Sequence, residues 1–506
     1  MITRNTLDIS VLLAWLWMIV NSYVVTISPC AESVLTGTAM LLAYFVISQL
    51  PSFEKILILV LLIWTGHEVI LGLLQILGIA RSNHVLYTLT GTFDNPGPYG
   101  GFLAVMCPIF MSKYLQTKNR VWRIASLVCL LILPITWSRA AFLAVAVAIG
   151  CIFWKQYKKY VLYGVLGLMV LSIPLYLLKF DSANGRMVMA IISCVAIGQN
   201  LWLGSGINSY LSAYGLATDR FLATDSNMES YGQMVEVPGN AFCEILKIGV
   251  EQGMVGLLLW IAIAVLGGLI LFKRRSPLFY GLISLAVFSC FSYPFDLWEF
   301  RILIVLFACG ISEDSVKWDL FRRKKERFIV IKHVVCAFLL IFAEMFVIGG
   351  LMDRREVRTT YKQMAGMTDV AFLKDYEQLF PMMNDDPQFL FDYAKALQNA
   401  KRWNESNYIL MEGEKVSADP MFVLLQGNNY QSMGFYSLAD NAYKKAWKRV
   451  PNRLYPIYKN MMMHWNIGNK EISVHYAEKL LDIKPKIESP ATREMQQAAK
   501  KIIGHR

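Results

Sequence analysis

Apolar residues in this chain come in long unbroken runs rather than in alternation with polar ones. Runs that reach or approach membrane-spanning length lie near 8–27, 34–50, 55–79, 97–114, 122–138, 140–154, 159–179, 254–272, 277–292, 297–312 and 329–351. A helix needs about 20 apolar residues to cross a bilayer, and helices satisfy every backbone polar group internally. The pattern therefore predicts an all-α chain: a polytopic membrane domain of about eleven spans over 1–352, then a soluble helical domain over 353–506 where such runs cease. The largest interruption is a polar excursion at 180–253. Within it, Met187 to Leu203 is apolar but broken by Gly198, Gln199 and Asn200, which suits a helix lying at the membrane surface.

The last third repeats itself. Asp386-Pro387, Asp419-Pro420, Val450-Pro451 and Lys484-Pro485 recur at roughly 31 to 34 residues, the period of tetratricopeptide helix pairs. Between two of them stand Gly427, Tyr430, Gly434, Tyr436, Ala439, Tyr443 and Ala446, the small and aromatic types by which such pairs interlock. Stacked helix pairs present a concave surface that binds a peptide or another protein. The plainer reading is a helical cap with no partner.

Charge sets the expected orientation. The chain has 506 residues, 56% hydrophobic and 17% charged, with a formal net charge of +12. Its basic residues cluster beside apolar runs, at Lys113 to Arg123, Lys155 to Lys159, Lys273 to Arg275 and Lys317 to Arg327. They read as topology signals rather than as a nucleic-acid surface. The rule that such loops face the cytoplasm places the N-terminus inside and the soluble domain outside. All nine cysteines lie in or beside apolar stretches, without a CxxC pair, so neither a disulfide framework nor a metal site is expected.

The opposite set of loops holds little more than Arg81, Arg139, Arg186 and Arg220. Four segments there carry candidate chemistry. The first is Gly91-Thr92-Phe93-Asp94-Asn95-Pro96-Gly97-Pro98-Tyr99, in which Asn-Pro and the glycines force a turn. Second comes Trp137-Ser138-Arg139-Ala140-Ala141, an Arg between two runs with almost no loop, and third Asn184-Gly185-Arg186. A guanidinium at a span end commonly snorkels to the interface. It also forms bidentate, charge-assisted hydrogen bonds with phosphate oxygens, and two converging on one face would suit a diphosphate. The fourth segment is Glu236 to Glu244, where Asn240, Glu244 and Glu251 at spacings of four and seven are expected on one helix face.

These segments resemble the O-antigen ligase and polymerase superfamily of bacterial envelope glycosyltransferases. The resemblance covers roughly 85–310 and rests on G-T-F-D-N-P, on S-R-A-A, on N-G-R followed by L-W-L-G-S-G-I-N-S-Y, and on N-A-F-C-E-I-L-K-I-G-V-E-Q-G-M-V-G. It implies a many-helix fold similar to the GT-C glycosyltransferases, embedded in the bacterial inner membrane, that takes a glycan from undecaprenyl diphosphate and joins it to a lipid, glycan or protein acceptor on the periplasmic side. Members with a tetratricopeptide tail on that side are familiar.

By the same resemblance Arg139 and Arg186 engage the carrier diphosphate, and Asp94, Asn95 and Tyr99 line the substrate. Glu236, Asn240 and Glu244 are the catalytic candidates. No cofactor, nucleotide sugar or metal is implied, because the leaving group is the lipid diphosphate. Many ligases carry a His just before the Asn of the fourth segment. Here those positions read Val237, Pro238 and Gly239, and Glu236 or His84 is left as the general base. The departure keeps open a repeat-unit polymerase or a protein oligosaccharyltransferase, and, from another class, a transporter or non-catalytic scaffold.

Overall fold

A computed structural model describes residues 4–26, 31–48, 53–178, 180–311, 349–350, 352–485 and 488–504. The basic run Arg322 to Arg327, and the expected span at 329–351 apart from 349–350, lie outside the described residues. The described residues form an all-α structure, helices joined by turns and loops, and contain no strand. The first part comprises α1 (Arg4–Val20), α2 (Ala31–Ile47), α3 (Phe53–Ile76), α4 (Pro96–Thr117), α5 (Arg120–Ile132), α6 (Arg139–Leu178), α7 (Phe180–Gln199), α8 (Tyr210–Phe221), α9 (Asp225–Tyr231), α10 (Glu244–Lys273), α11 (Leu278–Ser289) and α12 (Trp298–Ile311).

Large apolar side chains stand exposed in stripes at helical spacing, including Ile124, Leu127 and Leu131 on α5 and Leu258, Ile261, Val265 and Leu269 on α10. Water tolerates such stripes poorly, whereas acyl chains match them. Among the described residues, Thr6–Val25, Phe53–Ile76 and Glu244–Lys273 are long and apolar enough to cross a membrane, and Glu32–Ile47, Arg139–Trp154, Ala183–Gln199 and Leu278–Ser289 are shorter apolar helices. Helix length among the described residues therefore does not by itself establish the expected count of about eleven spans, several of them short. One reason is visible at 155–159, where an inter-span loop is expected. There α6 continues through a kink at Tyr157 (φ −132°, ψ 35°).

The centre of the bundle is α4. Asn95 caps its first turn by accepting the Gly97 N–H at 2.9 Å, and Pro96 takes the first helical position, where a missing N–H costs nothing. Nearly all of α4 from Tyr99 to Phe110 is buried. Gly101 lets Phe288 of α11 lie against its backbone, and the Ser284 hydroxyl donates to the Ala104 carbonyl at 2.7 Å.

Helix α10 is broken at Gly253, whose φ of 65° and ψ of −168° lie outside the helical region. A break inside an apolar helix frees backbone groups that must be satisfied by protein. The 201–206 segment and α1 supply the partners. Ser205 and Gly206 N–H groups donate to the Val250 and Glu251 carbonyls at 2.8 and 2.9 Å, and Met254 N–H donates to Leu201 at 2.8 Å. From α1, the Trp17 indole donates to Gln252 O at 3.1 Å. Asn21, in the π-helical turn Asn21–Val25 that ends this helix, donates to Leu203 O at 2.8 Å and Glu251 O at 3.1 Å.

The C-terminal helices are α13 (352–364), α14 (Leu373–Met383), α15 (Pro387–Asn399), α16 (Trp403–Val416), α17 (Pro420–Ser432), α18 (Tyr436–Arg449), α19 (Tyr455–Asn466), α20 (Lys470–Asp482) and α21 (Pro490–Gly504). Asp386 and Asp419 cap α15 and α17, each followed by Pro at the first helical position. Hydrogen bonds join residues 31 apart at Tyr361–Asp392, Gln398–Asn429 and Lys445–Glu414, which places equivalent positions of successive hairpins side by side.

This array is docked, not tethered. Ala418 enters the core formed by Tyr210, Ala213, Tyr214 and Ala217 of α8 together with Val188 and Ile192 of α7. Arg449 donates to both Asp219 oxygens at 3.2 and 2.8 Å, and the Asn452 amide donates to the Gln233 and Val235 carbonyls.

Candidate functional site

Between α5 and α6 the chain reverses through the 3₁₀ turn Leu133–Thr136 and left-handed Trp137 (φ 51°). The Ser138 hydroxyl then accepts the Ala141 N–H at 3.4 Å. Arg139 follows as the first residue of α6, so a cation and the positive end of a helix dipole coincide. Arg186 projects from the first half of α7 and lies over the Phe242 ring, 4.5 Å from its centroid. Burial and the neighbouring Arg139 charge both press the Arg186 pKa below its ordinary value. The two guanidinium groups thus sit within electrostatic reach of each other. Among the described residues neither is ion-paired to a carboxylate.

Phe242 packs edge-on against Tyr293, centroids 5.4 Å apart. Burial and the Asp296 carboxylate raise the Tyr293 phenol, Arg186 lowers it, and Asp94 raises it further. Tyr293 therefore lies within electrostatic reach of Arg186, Asp94 and Asp296. Asp94 is exposed on its turn, while the Asn95 side chain is committed to capping α4.

The turn itself is held from behind. Glu68 of α3, fully buried, accepts the Thr92 N–H at 2.9 Å and the Thr92 hydroxyl at 2.7 Å. One face further along, Gln75 accepts the Thr90 and Gly91 N–H groups at 2.9 and 2.8 Å and donates to Gly91 O at 2.9 Å. Gly91 has a φ of 58°, and a Cβ there would meet Glu68 Oε2 at 2.4 Å.

A cavity of about 280 Å³ adjoins this rim between α1, α2, α10 and α12. Val11, Trp15, Met40, Leu41, Ile263 and Val305 form its apolar walls, and Glu244, Lys247, Glu251, Asp296 and Arg301 line its polar part. The two arginines do not line it. Two short segments connect rim and cavity, because 242–247 and 293–296 give Phe242 and Tyr293 to the first and Glu244, Lys247, Phe295 and Asp296 to the second. Lys247 forms a close ion pair with Asp296. The Phe295 N–H donates to Glu244 Oε1 at 2.6 Å. Glu244 Oε2 is buried without a hydrogen-bond partner among the described residues.

Some expected site residues are placed elsewhere. Tyr99 is fully buried and its hydroxyl donates to the Glu68 carbonyl at 3.3 Å, so it secures the turn rather than facing a substrate. Asn240 lies in the bend before α10, which starts only at Glu244; it does not share the helix face that carries Glu244 and Glu251. Glu236 is exposed on an irregular segment. His84 Nδ1 accepts the Leu86 and Tyr87 N–H groups, so that nitrogen stabilises a local turn.

Lys247, Tyr293, Asp296 and Glu68 were not anticipated as site residues. A signal existed for three of them: Lys247 between Glu244 and Glu251 at helical spacing, Ser292-Tyr293-Pro294 punctuating two apolar runs, and Glu68 as a carboxylate inside a third.

Two neighbouring arginines, neither paired with a carboxylate among the described residues, thus stand beside an apolar cavity in a bundle of apolar helices. Residues 124–261 match the family model described as O-antigen ligase, and the match supports a ligase-type, glycosyl-transferring function in glycan biosynthesis. It spans α6 to α9, with most of α5 and α10, and so includes Arg139, Arg186, Phe242 and Glu244. No curated protein matches the chain.

Proposed function

We propose that the chain transfers a glycan from a polyprenyl diphosphate to an acceptor hydroxyl at the outer face of the bacterial inner membrane. The observation that carries this reading is the nearness of Arg139 and Arg186, neither satisfied by a carboxylate among the described residues, at the rim of an apolar cavity. The guanidinium pair binds the diphosphate, and the apolar walls take part of the polyprenyl chain. The acceptor oxygen attacks the anomeric carbon, the bond from that carbon to the diphosphate oxygen breaks, and its electron pair leaves with the carrier. Arginines aimed at the diphosphate stabilise the charge that grows there. The hydroxyl proton passes to a carboxylate, for which Glu244 offers its unpartnered Oε2 on the cavity wall. The C-terminal array is tetratricopeptide-like in this proposal and stands on the same outer side.

The test uses purified protein and a defined oligosaccharide on undecaprenyl diphosphate, with release of the carrier and extension of the acceptor both measured. Arg139→Lys and Arg186→Lys keep the charge but lose the fork, and each is expected to lower transfer at least tenfold. Full transfer by both variants would overturn the diphosphate site. Lipid or protein acceptors define a ligase or oligosaccharyltransferase, whereas extension of carrier-linked repeats defines a polymerase.

A further inference from the structure

A second cavity, of about 420 Å³, lies in the C-terminal array between α18, α19 and α20, away from the arginine rim. That is within the size range of small-molecule sites, about 300–1,000 Å³. Lys444, Lys448 and Lys479 line it together with Trp447, Ile457 and Ile472. The Trp447 indole is fixed by donating to the Pro451 carbonyl at 3.1 Å, and Lys479 Nζ lies 3.7 Å from the centre of that ring.

The cation balance is one-sided. Lys444 is paired with Asp440 at 2.6 Å, but that carboxylate also receives Asn460 and Tyr476. Among the described residues no carboxylate pairs with Lys448 or Lys479. Burial and the charges of Lys448 and Lys444 depress the Lys479 pKa, as expected where like charges converge without a counter-ion. Such a site lacks an anion. Its remaining walls mix apolar surface from Trp447, Pro456, Ile457 and Ile472 with the polar groups of Asn460, His475 and Tyr476, a combination that suits a pyranose ring, with its C–H face and hydroxyls, better than a fully polar ligand.

We infer that this cavity binds an acidic sugar, its carboxylate among the three lysines and its ring against Trp447, Ile457 and Ile472. One strip of α18 carries Lys444, Trp447 and Lys448 to the cavity, while Lys445 and Arg449 reach Glu414 and Asp219. The helix that holds the sugar therefore also docks the array onto α8. The choice of a sugar rests on the glycan-transfer reading; the presence of an anion site does not.

The full chain, reconstituted in nanodiscs of neutral lipid, is titrated calorimetrically at low salt with a glucuronate-containing tetrasaccharide, its neutral glucose counterpart, inorganic phosphate and a polyglutamate peptide. The acidic tetrasaccharide is expected to bind at least about tenfold more tightly than each of the other three. Lys448→Gln with Lys479→Gln should weaken it about tenfold, and Lys448→Arg with Lys479→Arg should restore most of the loss. Arg139→Ala should leave it unchanged. Equal affinity for the neutral sugar, for phosphate or for the peptide overturns the inference, as does undiminished binding by the double Gln variant. Binding is read without any transfer step, so failure of the catalytic reading and failure of this one are separable.

Discussion

Arg186 and Arg449 are the same side chain in two kinds of setting. Burial depresses both pKa values, but at Arg449 the Asp219 and Glu414 carboxylates outweigh it and leave the guanidinium above its ordinary value. At Arg186 the nearest strong charge is another arginine, which deepens the depression. Arg449 is only 4% exposed and is bonded to Asp219 through two nitrogens; its charge is used up in joining α18 to α8. Arg186 rests on an aromatic ring, its fork without an ion pair among the described residues. A cation held against a like charge raises the free energy of the resting protein, and an arriving diphosphate relieves it.

The comparison predicts opposite phenotypes. Arg186→Ala is expected to lower kcat/KM for glycan transfer by about 10²–10³, the usual cost of removing a preorganised electrostatic group, while the unfolding midpoint in detergent stays within about 2 °C. Arg449→Ala should do the reverse. Removing one partner of a buried ion pair costs about 3 kcal/mol, because the carboxylates left behind lose their counter-charge. Hydrogen exchange should then speed up in α8 and α18 together. If Arg449→Ala silenced transfer without loosening α8, the distinction between a spent and an unspent arginine would fail.

The α3 support of the turn offers a smaller effect of the same kind. Gln75→Ala strands the buried Thr90 and Gly91 N–H groups and the Gly91 carbonyl. Each unsatisfied group costs about 1–3 kcal/mol, and part of that is recovered by local rearrangement, so a destabilisation of about 2 kcal/mol is expected from denaturant unfolding. Transfer should fall as well, because Asp94 rides on this turn. Unchanged activity together with lowered stability would detach the turn from the site.

How far the sequence disclosed these features follows from how far each depends on distant contacts. The helical class was legible because apolar runs state it directly, and Asp386 and Asp419 announced α15 and α17 through capping chemistry that is local. Arg139 and Arg186 stood out because few cations occupy their loops. Helix phase near Asn240 was not legible, since the bend ahead of Glu244 is set by Phe242 packing on Tyr293 and by Glu244 accepting the Phe295 N–H, each across 51 residues of chain. The fate of Tyr99 was hidden for the same reason: an aromatic in a polar turn faces inward only because α3 brings Glu68 beneath it. Docking of the array through Arg449 and Asp219, 230 residues apart, leaves no local trace at all.

Asp440 gives the smallest and most conditional test of what a satisfied charge contributes. Burial raises its pKa, but Lys444, Tyr476, Asn460 and His464 all donate to it and hold it down at about 2, against 3.8 for the ordinary group. A depressed folded-state value means that the stabilisation is fully present above the unfolded pKa and is lost as pH falls from about 4 towards 2. The Asp440 side chain is only 16% exposed, but its Lys444 partner is about half exposed, so partial screening leaves an expected contribution of about 1–2 kcal/mol. Asp440→Asn should therefore destabilise the C-terminal array near pH 7 and converge with the parent protein near pH 2. The same substitution frees Lys444 from its partner, and in the acidic-sugar titration it should tighten binding at pH 7 rather than weaken it. Loss of both stability and sugar affinity at every pH would show that Asp440 holds the cavity's shape, and the contrast between spent and unspent cations would then not extend from the arginines to the lysines.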